Sequence, residues 1–185
     1  MPHVACGLLN QNHSSFPMNY CPIIGTLGYI LSPDRQSVLL THRIARKSDE
    51  QFGKYNGLGG HLEPNEDVAT GMIREIREES TLEVTSMTLR GTVNWTGFGP
   101  HGEDWLGFIF LITDFTGTPL STNEEGTLSW VPLKNFPIIP CGRATSTFCH
   151  WSLMTTRAPS TASCLTMVTD RSPGTSPGFN PESAE

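Results

Sequence analysis

From Gly57 to Leu82 the chain reads GLGGHLEPNEDVATGMIREIREESTL, and this stretch restricts the fold more than any other. Gly57, Gly59 and Gly60 let the backbone pass close to neighbouring atoms, and Pro64 and Asn65 lead into a helix expected from Glu66 to about Ser80. Val68, Ala69, Met72, Ile73 and Ile76 recur at helical spacing on one face, which therefore belongs against a core. Glu75, Glu78 and Glu79 stand at i, i+3 and i+4, so three carboxylates leave one side of the helix within about 6 Å of each other. Hard divalent cations such as Mg²⁺ and Mn²⁺ take oxygen ligands of this kind and bridge to phosphate oxygens. A solvated face balanced by Arg74 and Arg77 is the competing reading of the helix alone.

Around this helix the sequence alternates strands and turns. CPIIGTLGYILSPDRQSVLLTHRI reads as a hairpin about the turn Ser32-Pro33-Asp34, and further strands are expected at 87–95, 105–113 and 128–132. Arg46 to Tyr55 reads as a polar loop. One strong helix among alternating strands predicts a mixed α/β or α+β sandwich. Residues 1–20 are polar and aperiodic, as expected of an extension, and 21–140 carry the domain. Residues 141–185 contain fifteen Ser or Thr and four Pro with no sustained period, the composition of a disordered tail.

At 185 residues the chain is long enough for one full core, and a formal net charge of −6 disfavours a broad nucleic-acid or acidic-membrane surface. An anionic ligand then needs a cation to hold it. Five cysteines without a CxxC pair suggest neither a disulfide framework nor a zinc knuckle and fit reduced thiols. No run approaches the roughly 18 apolar residues of a membrane helix, and the start lacks a signal-peptide pattern, so a cytoplasmic protein with no membrane partner is expected. Oligomeric state is not written in the sequence.

The wider spacing decides between the two readings of the helix. Gly60, five residues, Glu66, seven residues, then Arg74-Glu75-Ile76-Arg77-Glu78-Glu79 resembles the Nudix box, a coincidence expected from composition in on the order of one chain in 10⁵. The resemblance implies an α/β/α sandwich with a mixed β-sheet and a loop–helix–loop, acting as a Mg²⁺- or Mn²⁺-dependent hydrolase of phosphoanhydride bonds. It implies that the Gly59 carbonyl, Glu75, Glu78 and Glu79 hold metal, that Glu78 is a further ligand or base, and that Gly60, Glu66 and Arg74 brace the motif. Glu125 resembles the distal glutamate that reaches the same metals or orients water, with Glu124 as the alternative. One position departs from the box: Thr81 stands where the family has glycine, at a cost of up to about 1 kcal/mol if a left-handed conformation is needed.

The flanks bear on the substrate. Tyr55-Asn56-Gly57-Leu58-Gly59-Gly60 resembles the oxidised purine nucleoside triphosphatases, which implies that Asn56 hydrogen-bonds a purine, as in hydrolysis of 8-oxo-dGTP to the monophosphate and pyrophosphate. ADP-ribose or another nucleoside diphosphate derivative is the alternative, as is a nucleotide-binding module without turnover. Arg43, Arg46 and Lys47 precede the box, where a cation can clamp a triphosphate. Trp95, Phe98, Trp105 and Phe110 can stack a base, although aromatic residues in strands more often belong to a core. His61 and His101 have no partner at ligand spacing. In the triphosphatases that this sequence resembles, the Trp-Val strand is followed by a Met-Trp and acidic segment. Here that segment is missing, yet residues 140–155 read one base out of frame can encode MW–GDKYFLPLVFDD, so the tail is expected to be a frameshift product.

Overall fold

The computed structural model describes residues 20–48, 51–97, 101–138, 140 and 165–169. β1 (Ile23–Leu31) and β2 (Ser37–Arg43) form the expected hairpin, paired antiparallel at Ile30 with Leu39 and Leu31 with Val38. Its turn is tied by Asp34, whose carboxylate accepts from Ser32 Oγ at 2.5 Å and from the Gln36 amide at 3.1 Å. Beyond this short pairing the two strands diverge, and the segment from Tyr55 to Leu62 fills the gap. Its first residues, β3 (Tyr55–Asn56), pair with β2, and it then crosses to β1, with Gly28 N–H donating to Leu58 O at 2.7 Å and Thr26 N–H to Gly60 O at 2.8 Å.

This insertion gives the glycines their physical reason. A Cβ on Gly57 would lie 2.6 Å from Gly28 O, and Gly59, at φ +145°, would press one to 2.2 Å from Thr26 O. A two-residue strand flanked by glycines carries no period of its own, so the sequence pattern shows only a loop there.

α1 (Val68–Ser80) begins two residues later than expected, because Asp67 caps it by accepting from Ala69 N and Thr70 N, both at 2.9 Å. Glu66 consequently lies ahead of the helix. Met72 and Ile76 are fully buried against Ile30, Leu39, Leu58, Phe110, Ile112 and Leu128, whereas Ala69 and Ile73 are only partly covered. At the other end Thr81 takes the left-handed conformation (φ 63°, ψ 11°), its amide donating to Arg77 O.

β4 (Glu83–Trp95), β5 (Trp105–Thr116) and β6 (Gly126–Pro132) follow, all three longer than the expected 87–95, 105–113 and 128–132. β5 runs parallel to β1 and antiparallel to β4, while β6 lies antiparallel along the whole of β2. The sheet order is β3-β2-β1-β5-β4-β7, with β6 on the other edge of β2. It is a mixed sheet, as expected. A 3-10 helix over Leu133–Ile138 ends this region.

β7 (Leu165–Thr169) pairs parallel with Gly91 to Trp95 of β4. Within 141–185, expected to be an atypical tail, these five residues are in a strand: Leu-Thr-Met-Val-Thr is a run too short to stand out in a Ser/Thr-rich background. The remainder of that tail, including nearly all of the out-of-frame segment, and the extension up to residue 19 lie outside the described residues, as does Phe98.

Side chains on the sheet face away from α1 form a second cluster of Tyr29, Leu31, Val38, Leu40, Val93, Trp95, Ile109 and Val131. The sheet is thus apolar on both faces, the pattern of a middle layer. Among the described residues α1 is the only α-helix, so one helical layer of the expected sandwich is seen. Trp95 and Phe110 are core residues rather than exposed stacking surfaces.

Candidate metal and catalytic site

The acidic side of α1 faces the Gly59-Gly60 turn. Arg74 organises it. Its Nε and Nη2 donate to the two carboxylate oxygens of Glu66 at 3.1 and 2.6 Å, Nη2 also reaches His61 O at 3.0 Å, and Nη1 donates to Glu75 at 2.9 Å and Glu78 at 3.1 Å. One planar guanidinium therefore ties the turn, the segment before the helix and two helix glutamates together, which a lysine's point charge does not reproduce. Arg74 and the Glu63 amide hold Glu66 below the usual carboxylate range. Gly60 sits against Glu75, where a Cβ would come within 2.7 Å of its carboxylate.

Glu79 is the most enclosed of the three acids. Its Oε2 accepts from the Gly59 amide at 3.1 Å. Burial foremost, then the neighbouring charges of Glu125 and Glu75, push its pKa up to about 8 against the opposing pull of the Gly59 amide and Arg43. Burial also raises Glu75, offset by Arg74. Glu78 is exposed at the rim.

Glu125 arrives from the loop ahead of β6. Its carboxylate pairs with Arg43 Nη1 at 2.6 Å, at the end of β2, and bears on Glu79, while Glu124 is exposed. Arg43 is thus engaged by an acid of the site. Thr41, Arg43 and Asn56 share one side of the sheet by strand alternation and by the Thr41–Asn56 pairing, the side on which α1 lies. Arg46 and Lys47 are exposed in the following loop.

The donor set is all oxygen, with a buried carboxylate crowded by two others, and this suits a hard divalent cation. Among the described residues no three His, Cys, Asp or Glu side chains converge on one point, because Glu75 and Glu78 lean on Arg74 and Glu125 leans on Arg43. A cation would compete with those two arginines for the same oxygens. His61 instead packs its ring on Trp105, centroids 4.5 Å apart, and the His101 amide donates to Glu103 at 2.9 Å.

Sequence reasoning passed over Asn123, whose side chain shapes the Glu125 loop; the Asn-x-x-Gly spacing of a tight turn was the signal that could have found it. The NUDIX domain family model matches residues 23–147. The chain belongs to the NUDIX domain family. The uncharacterized Nudix hydrolase YvcI of Bacillus subtilis is 33% identical over 87 residues, covering 44% of this chain and 55% of that protein. The NAD-capped RNA hydrolase NudC of Pseudomonas aeruginosa is 29% identical over 143 residues, 75% of this chain and 50% of NudC. The chain spans about half the length of these curated relatives. Among solved structures, a MutT protein of Bacillus halodurans superposes with a TM-score of 0.61 at 22% identity, over 71% of this chain and 82% of that one. A MutT NUDIX hydrolase of Burkholderia pseudomallei gives 0.58 at 26% identity, over 72% and 96%. The Bacillus halodurans likeness establishes the Nudix fold and nothing finer.

Proposed function

We propose that this chain is a divalent-metal-dependent hydrolase of nucleoside diphosphate derivatives, with 8-oxo-dGTP or a related oxidised purine nucleoside triphosphate as substrate and the monophosphate and pyrophosphate as products. The observation that carries the reading is the enclosed carboxylate of Glu79, hydrogen-bonded to Gly59 and flanked by Glu75 and Glu125 near the end of the box. In this reading Glu75, Glu78, Glu79 and the Gly59 carbonyl hold Mg²⁺ or Mn²⁺, with Glu125 beside them. A bound cation supplies neutralisation of phosphate oxygens and activation of water.

The chain's own groups do the rest. Arg74 fixes Glu75 and Glu78 and keeps the turn on the helix through Glu66 and His61. Arg43 and Lys47 offer positive charge to the polyphosphate, Arg43 after exchanging Glu125 for a phosphate oxygen. Asn56 offers an amide to the purine edge, on the sheet side that carries Arg43. Residues 21–140 form the catalytic domain, and 141–185 a tail whose out-of-frame coding potential is tested by the coding DNA. A cytoplasmic location agrees with the sequence, and no helix among the described residues is long and apolar enough to cross a membrane.

The matches to NAD-capped RNA hydrolases favour a second reading, in which the substrate is a dinucleotide with an NAD-like pyrophosphate. A panel of 8-oxo-dGTP, dGTP, ADP-ribose and NAD, assayed with Mg²⁺ on wild type, Glu78→Gln and Glu79→Gln, separates the two. The fastest turnover is expected with 8-oxo-dGTP; preference for NAD transfers the proposal to the second reading. Binding without glutamate-dependent turnover marks a nucleotide-binding module instead.

A further inference from the structure

Glu125 stands on a loop held by hydrogen bonds within itself and to the end of β2. The Asn123 side chain accepts from the amides of both Glu125 and Gly126 at 3.0 Å, and the Asn123 amide donates to Gly126 O at 2.9 Å. Ala45 N–H donates to the Glu125 carbonyl at 3.1 Å, and Leu128 N–H to Ser121 O at 3.0 Å, so the loop is pinned to the end of β2 and to its own base. Gly126 adopts φ +159°, and a Cβ there would lie 1.9 Å from His42 O, so the loop backbone passes directly against the end of β2. With its backbone so fixed, Glu125 extends to Arg43 at 2.6 Å and stands next to Glu79.

Asn123 also buries its Nδ2 without a hydrogen-bond partner, an unfavourable arrangement that the loop nonetheless keeps. An aspartate would make the same two acceptor contacts without an orphaned amide, but it would add a negative charge to a loop that already carries Glu124 and Glu125. Asparagine accepts both hydrogen bonds and carries no charge.

We propose that Asn123 is a positioning residue for Glu125, setting the direction from which that carboxylate joins the metal site. The inference rests on the metal-dependent reading of the site. It acts on affinity for the cation, which is measurable without turnover. Mn²⁺ binding to the full chain is titrated by the paramagnetic resonance of the free ion for wild type, Asn123→Ala, Asn123→Asp, Glu125→Gln, Glu79→Gln and the double variant Asn123→Ala/Glu125→Gln. Asn123→Ala is expected to weaken Mn²⁺ about tenfold, within the range for removing a group that orients a ligand, and to weaken it no further in the Glu125→Gln background. Asn123→Asp, which keeps the acceptor, is expected to stay within about threefold of wild type.

Equal losses from Asn123→Ala with and without Glu125, or wild-type affinity in Asn123→Ala, overturn the positioning role. If Asn123→Ala does not fold, Asn123→Ser, with a weaker and shorter acceptor, is put through the same cycle. Failure of the underlying reading looks different. A wild-type chain that takes up no Mn²⁺, or one indifferent to Glu79→Gln, overturns the metal site and this inference with it. A Glu79-dependent affinity without Asn123–Glu125 coupling overturns this inference alone.

Discussion

Glu79 places a carboxyl where Gly59, Glu75, Glu125 and Arg43 all bear on it, and the balance of those forces is measurable. Its folded-state pKa is raised to about 8 from the ordinary 4.5, so the folded chain favours the protonated acid. The sign follows: this contribution to stability is complete below about pH 4.5 and is lost as pH rises through about 8. In chelator, the melting temperature of wild type should therefore fall across that window relative to Glu79→Gln, which keeps an acceptor for Gly59. Added Mg²⁺ should flatten the difference; parallel pH profiles would show that Glu79 is not perturbed. Thr81 supplies a second test at this scale. A β-branched residue at φ 63° is strained, and Thr81→Gly should raise stability by about 0.5–1 kcal/mol in a denaturant titration, less whatever its hydroxyl contacts to Ser80 and Thr118 contribute. The missing box glycine was visible in the sequence, but that Thr81 accepts the left-handed conformation was not.

At the scale of elements, α1 depends on its two ends and on its buried stripe. Asp67→Ala removes the acceptor for two amides and should cost about 1 kcal/mol, read as a shift in the denaturation midpoint. Met72→Ala removes a fully buried side chain and should cost about 2–5 kcal/mol. The helix was legible because its apolar spacing is regular and its flanks carry glycine and proline. Its first residue was not, since Asn65 and Asp67 are both good capping residues and only the hydrogen bonds single out Asp67. The hairpin was legible from its turn. β3 was not, because two residues cannot display a period and their pairing depends on β1 and β2 moving apart. Glu125 illustrates the same limit for the site: two adjacent acids were equivalent in sequence, and the turn made by Asn123 directs one toward Arg43 and leaves the other in solvent.

For the whole molecule, the box assembles the acidic side of α1 through contacts local in sequence, from Gly59 to Glu79, whereas Arg43 and Glu125 come from far along the chain. Arg43 and Glu125 meet because β2 and β6 pair along their entire lengths, a long-range relation that no local pattern announces. β7 is the extreme case, a five-residue strand about seventy residues from its partner β4. Deleting residues 160–185 should lower the melting temperature by removing that ladder from the β4 edge, while leaving the Mn²⁺ affinity of the box unchanged. Unaltered melting would mean that β7 contributes no stability. The most direct measurement is steady-state hydrolysis of 8-oxo-dGTP with Mg²⁺, following pyrophosphate release. Wild type should turn over only with the metal, and Glu79→Gln should lower kcat by about 10²-fold or more while remaining folded. Turnover that persists in chelator, or that is unaffected by Glu79→Gln, would contradict a metal-dependent hydrolase centred on this helix.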